Sequence, residues 1–213
     1  GIGMSELDAK TSFLRHATSK IAVAEDIFNI KTKGFRGEAL PSISSVSQTV
    51  LQTKTREDEL GIKIELEGSK DPIAQKISCE LGTNIQVKNL FFNIPARRKF
   101  LKSNGVELKH CIDQFIRVAI IHPEIEFKLI HNKDVMFDLK NSTHKQRVIQ
   151  VLGKQHNDNL IPVETETDQM TLSGFVLKPK AAKKSRGDQY LFVNNRFIKS
   201  AYLHHAVATS FEE

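Results

Sequence analysis

The chain has 213 residues, 39% hydrophobic and 26% charged, with 11 Gly and 6 Pro. That balance excludes disordered and fibrous classes and allows one large domain, or one domain and part of a second. Apolar runs such as Val118-Ala119-Ile120-Ile121 fall far short of the roughly 20 residues of a membrane helix, and no export signal opens the chain, so no membrane association and a cytoplasmic location are expected. A net charge of +6 and a pI near 9.3 predict weak attraction to polyanions.

Ser5-Glu6-Leu7-Asp8 reads as a capping box and predicts a helix over 5–15. Gly34-Phe35-Arg36-Gly37 is a glycine-rich turn, and Glu38-Ala39-Leu40-Pro41 opens a short helix with Pro41 in the tolerated first turn. Over 46–53, 61–66 and 73–78 the hydrophobic period drops to two, which predicts half-buried antiparallel strands of one sheet. Ile85 and Val87 alternate in a further strand, and Asn93-Ile94-Pro95 ends it by starting a basic helical turn over 96–102. Leu108, Cys111, Ile112, Phe115, Val118 and Ala119 recur every three or four residues, the clearest helical pattern in the chain, and Pro123 stops it.

Segments 126–130 and 135–139 flank His131-Asn132-Lys133-Asp134, a predicted hairpin. Asn141-Ser142-Thr143-His144 precedes a helix over 145–152 that Gly153 closes. The domain boundary is placed there, giving units 1–142 and 143–213. Strands are predicted at 161–166, 171–177 and 190–193, with a basic loop over 178–187 and a tight turn at Asn194-Asn195 before Phe197. Residues 201–211 carry an apolar helical pattern with no stop signal after it, and the chain opens on Gly1-Ile2-Gly3 without Met, so both ends are expected to cut through structure. His204-His205 reads as a polar helix face. Cys79 and Cys111 belong to no CxxC or Cys/His pair at metal-ligand spacing; both are read as buried thiols, and no metal ligand set is expected.

The most informative segment is Gly34 to Leu40. Two glycines let backbone approach a ligand, and the helix start that follows offers unpaired N–H donors and a positive dipole end, which would stabilise a phosphate. By itself a GxxG is more often an ordinary loop-to-helix junction. Upstream, Arg15-His16-Ala17-Thr18-Ser19-Lys20 gathers two hydroxyls and an ammonium within reach of phosphate oxygens, though alone it reads as a solvated helix end.

Together with Gly82-Thr83 and Asn93-Ile94-Pro95-Ala96-Arg97-Arg98-Lys99-Phe100-Leu101, these segments resemble the MutL family in order and spacing. That family belongs to the ATPase superfamily of gyrase B, the ninety-kilodalton heat-shock chaperone and the sensor histidine kinases. The resemblance covers nearly the whole chain. It implies an α+β fold: a two-layer sandwich of helices on a mostly antiparallel sheet, here an incomplete ATPase domain, followed by part of a ribosomal-protein-S5-like α/β domain. It implies ATP and Mg²⁺ as cofactors of the full-length protein. Gly1, Gly3 and Met4 would end the DxGxG segment, the glycines clearing space for the nucleotide and Met4 lining the adenine pocket. Thr18, Ser19 and Lys20 would belong to the ATP lid. Gly34, Phe35, Arg36, Gly37, Glu38, Ala39 and Leu40 would close the lid over the triphosphate, with 37–40 supplying backbone donors and Arg36 stabilising the lid. Thr83 would approach the adenine from the sheet.

The family's adenine-binding Asp, its general-base Glu, its Mg²⁺-holding Asn and its γ-phosphate Lys are all expected outside these residues. No catalytic residue is therefore expected here, and the fragment alone is expected to be inactive. Arg97-Arg98-Lys99 is read as a structural helix turn ahead of a DNA contact. The loop with Lys178, Lys180, Lys183, Lys184 and Arg186 is read equally as solvated disorder or a DNA-backbone contact, and Arg196 ranks slightly above it, because MutL-like proteins present a basic groove in the second unit. The implied role is a repair ATPase that dimerises on ATP, binds double- and single-stranded DNA, and couples MutS to a downstream nuclease and helicase, in the cytoplasm and at the nucleoid. The alternative is a DNA-binding and partner-docking module without ATP turnover.

Overall fold

The computed structural model describes residues 1–18, 20–21, 33–181 and 189–210. They divide into two compact units, Gly1–Lys102 and Ser103–Glu213.

The first unit is built on a four-stranded sheet of β1 (Gln48–Lys54), β2 (Gly61–Glu67), β3 (Ile73–Ile77) and β4 (Gly82–Lys88), in the order β3-β2-β1-β4, antiparallel throughout. The period-two pattern decides which face is covered: Thr49, Leu51 and Thr53 of β1 alternate inward and lie opposite Leu66, Ile64 and Ile62 of β2. Against that face packs α1 (Glu6–Thr11), whose Ala9 joins Leu51, Ile62, Ile64 and Leu66 in the core, with Met4 and Phe13 alongside. Leu51 and Ile64 are wholly buried, each contributing about 1.5–3 kcal/mol of transfer free energy. On β4, Ile85 and Val87 pair with Leu51 and Thr49 and so share their face, yet they stay 44% and 46% exposed.

The helix expected over 5–15 stops at Thr11. The hydroxyls of Thr11 and Ser12 turn back onto the carbonyls of Leu7 and Ala9 (2.9 and 2.8 Å), and His16 lies in the left-handed region. At its start the Ser5 hydroxyl accepts from the Asp8 N–H (3.1 Å) and donates to the Asp8 carboxylate (2.7 Å). The carboxylate thus grips the hydroxyl instead of a backbone amide. Helix α2 (Ala39–Ser44) leads into β1, and the basic turn is a short helix α3 (Pro95–Arg98) with Pro95 at its start.

The second unit begins with α4 (Asn104–Ala119), followed by the hairpin β5 (Phe127–His131) and β6 (Asp134–Leu139), and α5 (His144–Leu152). Phe115 of α4 meets Phe127 edge-on and Phe137 tilted, at 6.0 and 5.3 Å, over Ala119, Leu139 and Val151. Thr143 and Gln146 form a full capping box on α5, and Gly153 follows its last residue at φ 111°. The hairpins β7–β8 (Leu160–Glu166, Thr171–Leu177) and β9–β10 (Leu191–Val193, Arg196–Ile198) and helix α6 (Ala201–Thr209) complete the unit. Asn194 and Asn195 both have positive φ, 47° and 61°, as a two-residue hairpin turn demands.

Arg147 holds the middle of this unit. It is fully buried, its Nη1 donates to the carbonyls of Ala119 and His122 (2.8 and 2.7 Å), and its Nη2 to those of Pro123, Ile125 and Lys140 (3.1, 2.8 and 2.9 Å). One side chain of α5 thereby binds the end of α4, the loop after it and the end of β6, which is why α4 and the β5–β6 hairpin belong to one compact body with α5. The cysteines depart from expectation: Cys111 is exposed on α4 and Cys79 only half-buried.

Candidate functional site

Two groups of the predicted residues come together in the first unit, each on its own scaffold. The first group is built where the ends of β1 and β4 meet the chain's first residues. The Met4 N–H donates to Thr53 Oγ1 (2.9 Å), Thr53 Oγ1 donates to the Gly82 carbonyl (2.9 Å), and the Thr53 and Thr83 hydroxyls lie 2.9 Å apart. Gly3 has φ 80°, and a Cβ there would run into the Lys54 carbonyl; a Cβ on Gly82 would stand 3.4 Å from the Gly1 carbonyl oxygen. Gly1, Gly3 and Met4 are thus laid against β1 and the start of β4, and Thr83 is exposed beside them. The Met4 side chain packs on the core cluster.

Thr53 escaped the sequence reading, although it is the hub of this group. The available signal was its hydroxyl at an inward position of an alternating strand, two residues beyond Leu51. A buried hydroxyl at such a position must find partners.

The second group surrounds the start of α2. Gly37 has φ 63°, and a Cβ there would strike the Ala17 carbonyl, so the loop lies directly on the 16–17 backbone. His16 Nδ1 is 3.3 Å from Glu38 Oε1, a second tie the sequence did not announce. Arg36 places its guanidinium 5.5 Å from the Phe35 ring. Glu38 caps α2 without a side-chain hydrogen bond to the helix's first N–H groups, and Ala39 and Leu40 follow it. Among the described residues, no atom stands within 4 Å of a Cβ built on Gly34 or Gly1. Thr18 accepts from the Lys20 N–H (3.1 Å), and the Lys20 side chain is exposed. Ser19 lies outside the described residues.

Among the DNA-contact candidates, Arg196 is half-buried in β10, whereas Lys183, Lys184 and Arg186 lie outside the described residues. Lys178 donates to the Asp158 carbonyl (2.7 Å). Arg97, Arg98 and Lys99 are exposed on or just after α3. Among the described residues no three His, Cys, Asp or Glu side chains gather as a metal site, and no helix is long and apolar enough to cross a membrane.

Residues 148–213 match the family model described as DNA mismatch repair protein, C-terminal domain. The chain is 55% identical over 212 residues to the DNA mismatch repair protein MutL of Christiangramia forsetii and 49% identical over 212 residues to that of Flavobacterium johnsoniae. Each alignment covers 100% of this chain, but 34% and 33% of those relatives. Among solved structures, the Aquifex aeolicus MutL ATPase domain complexed with ADP superposes with a TM-score of 0.70 at 30% identity, covering 88% of this chain and 71% of that one. The chain belongs to the MutL family of DNA mismatch repair proteins. It spans about a third of the length of the curated MutL relatives, and its antiparallel α+β architecture is that of the MutL ATPase domain.

Proposed function

We propose that the full-length protein is an ATP-binding and ATP-hydrolysing matchmaker of mismatch repair. In this reading, Gly1, Gly3 and Met4 frame the adenine with Thr83, and Thr18, Ser19 and Lys20 form the lid. Gly34 to Leu40 close it, with the amides of 37–40 facing the phosphates and Arg36 stabilising the lid. The observation that carries the reading is the seating of Gly37 on the Ala17 backbone. It joins the glycine-rich loop to the segment leading into the lid.

ATP fits the residues present, since the left-handed glycines Gly3 and Gly37 bring backbone close together beside exposed polar groups such as Thr83 and Lys20. A divalent ion finds no ligand set among the described residues, and in this reading Mg²⁺ and the groups that complete catalysis belong to the full-length protein. ATP orders the lid, the ordered lid favours homodimerisation, and the closed dimer couples MutS to a downstream nuclease and helicase at the nucleoid, in the cytoplasm. An S5-like second domain over 143–213, beginning near the family model's start at residue 148 although α5 packs within the compact unit that begins at Ser103, would contact duplex or single-stranded DNA through Arg196, Lys183, Lys184 and Arg186.

Light scattering on the full-length protein, with and without ATP and Mg²⁺, tests the proposal. An ATP-dependent dimer is expected. No affinity for adenine nucleotides would overturn it, and salt-sensitive duplex binding without turnover would select the DNA-binding, partner-docking alternative.

A further inference from the structure

The hydrogen bonds of Thr53 leave no freedom in how its proton is placed, and this fixes the polarity of Thr83. A threonine hydroxyl has one proton and two lone pairs. The Met4 N–H can only donate, so it takes one lone pair of Thr53 Oγ1 at 2.9 Å. The Gly82 carbonyl can only accept, and its 2.9 Å approach to the same oxygen requires the Thr53 proton to lie between them. The remaining contact, 2.9 Å to Thr83 Oγ1, must then be made with the proton of Thr83. Thr53 is buried, 1% exposed, so no water relieves this constraint. Thr83 is exposed, and with its proton directed inward it presents only lone pairs to whatever binds beside it.

We propose that Thr53 is a positioning residue for purine selection: by consuming the Thr83 proton it makes Thr83 an acceptor, which suits the 6-amino group of adenine and opposes the 6-oxo group of hypoxanthine or guanine. The proposal rests on the reading of Thr83 as a nucleobase contact and adds the residue that sets its direction. An acceptor facing a 6-oxo oxygen leaves both groups unpaired, the situation that discriminates most strongly between ligands of one shape.

The test measures affinities of the full-length protein for ATP and for ITP, which differs from ATP in carrying the 6-oxo base, and reads their ratio. Lost packing weakens both nucleotides alike and does not move the ratio. Wild type is expected to prefer ATP by roughly tenfold or more. In Thr53→Val the Thr83 hydroxyl is free to turn and donate, and the preference is expected to fall at least threefold, whereas Thr53→Ser should keep it. Thr53→Cys, whose thiol is a poor acceptor, gives the same reading with less disturbance if the valine variant does not fold. Thr83→Val separates the two levels of the argument. If it leaves the ratio unchanged, the reading of Thr83 as a base contact fails and the proposal falls with it. If it collapses the ratio while both Thr53→Val and Thr53→Cys preserve it, the proposal alone is overturned.

Discussion

Replacing Arg147 by Met keeps most of the side-chain volume and removes every donor. Five backbone carbonyls, those of Ala119, His122, Pro123, Ile125 and Lys140, lose their partner together. Ala119 is wholly buried and Arg147 itself admits no solvent, so some of these oxygens cannot be rehydrated without opening the unit. Two carbonyls left dry at about 1–3 kcal/mol each give a loss of about 2–6 kcal/mol, and measured breakages of buried charged networks centre on about 3–5 kcal/mol. Burial pulls the Arg147 pKa down while Glu124 nearby raises it, and the guanidinium stays charged at every working pH. In the full-length protein, hydrogen exchange of the amides in α4 and α5 should therefore quicken by a few hundred- to a few thousand-fold, at about 1.4 kcal/mol per factor of ten. Arg147→Lys, with a single ammonium that reaches fewer of the five oxygens, should fall between. An acceleration of less than about tenfold in Arg147→Met would refute the assignment of Arg147 as the tie that unites this unit.

Thr143→Ala removes the cap that receives the Gln146 N–H and should cost about 1 kcal/mol of α5 stability, read by the same exchange experiment. His144, in the first turn of α5 and edge-on to Phe175 at 5.4 Å, has its pKa lowered by burial below the ordinary 6.5. The unfolded chain therefore takes up the proton first. The contribution of His144 is full above pH 6.5 and is lost as pH falls through the lowered value; protection of α5 should decline across that range and become insensitive to it in His144→Asn. Gly37→Ala forces a side chain into left-handed backbone against the Ala17 carbonyl and should weaken ATP binding by the full-length protein by roughly tenfold. Arg196→Ala should weaken duplex binding and lower the slope of log affinity against log salt by about 1, and an unchanged slope would remove Arg196 from the interface.

Much of the fold was legible because its signals are local and periodic. The inward Ile62, Ile64 and Leu66 could be read directly from alternation, and α4 from its three-and-four spacing, whereas on β1 the apolar Val50 and Leu51 fall on opposite faces and only the pairing with β2 shows that Thr49, Leu51 and Thr53 face inward. What escaped was long-range. Nothing in Lys145-Gln146-Arg147 distinguishes a solvated arginine from one that gathers five carbonyls lying 7 to 28 residues away in sequence. For that reason the compact body that starts at Ser103 could not be foreseen from composition. The early end of α1 was hidden for the opposite reason, since Thr11 and Ser12 compete with the helix through hydroxyl contacts that helical periodicity ignores. At the candidate site the glycines with positive φ, Gly3, Gly37 and Gly82, stood in the motifs that drew attention to them. Their neighbour Thr53 sat in a strand pattern that predicts burial and is silent about hydrogen bonds.

The exposed Ile85 and Val87 lie on β4, which pairs only with β1 among the described residues. A strand at the edge of a sheet that carries exposed apolar side chains is a docking template for any extended polypeptide of matching character. Preparations of these 213 residues in isolation should consequently thicken into fibrous or gelled material with time, and a lysine in place of Val87 should keep them clear.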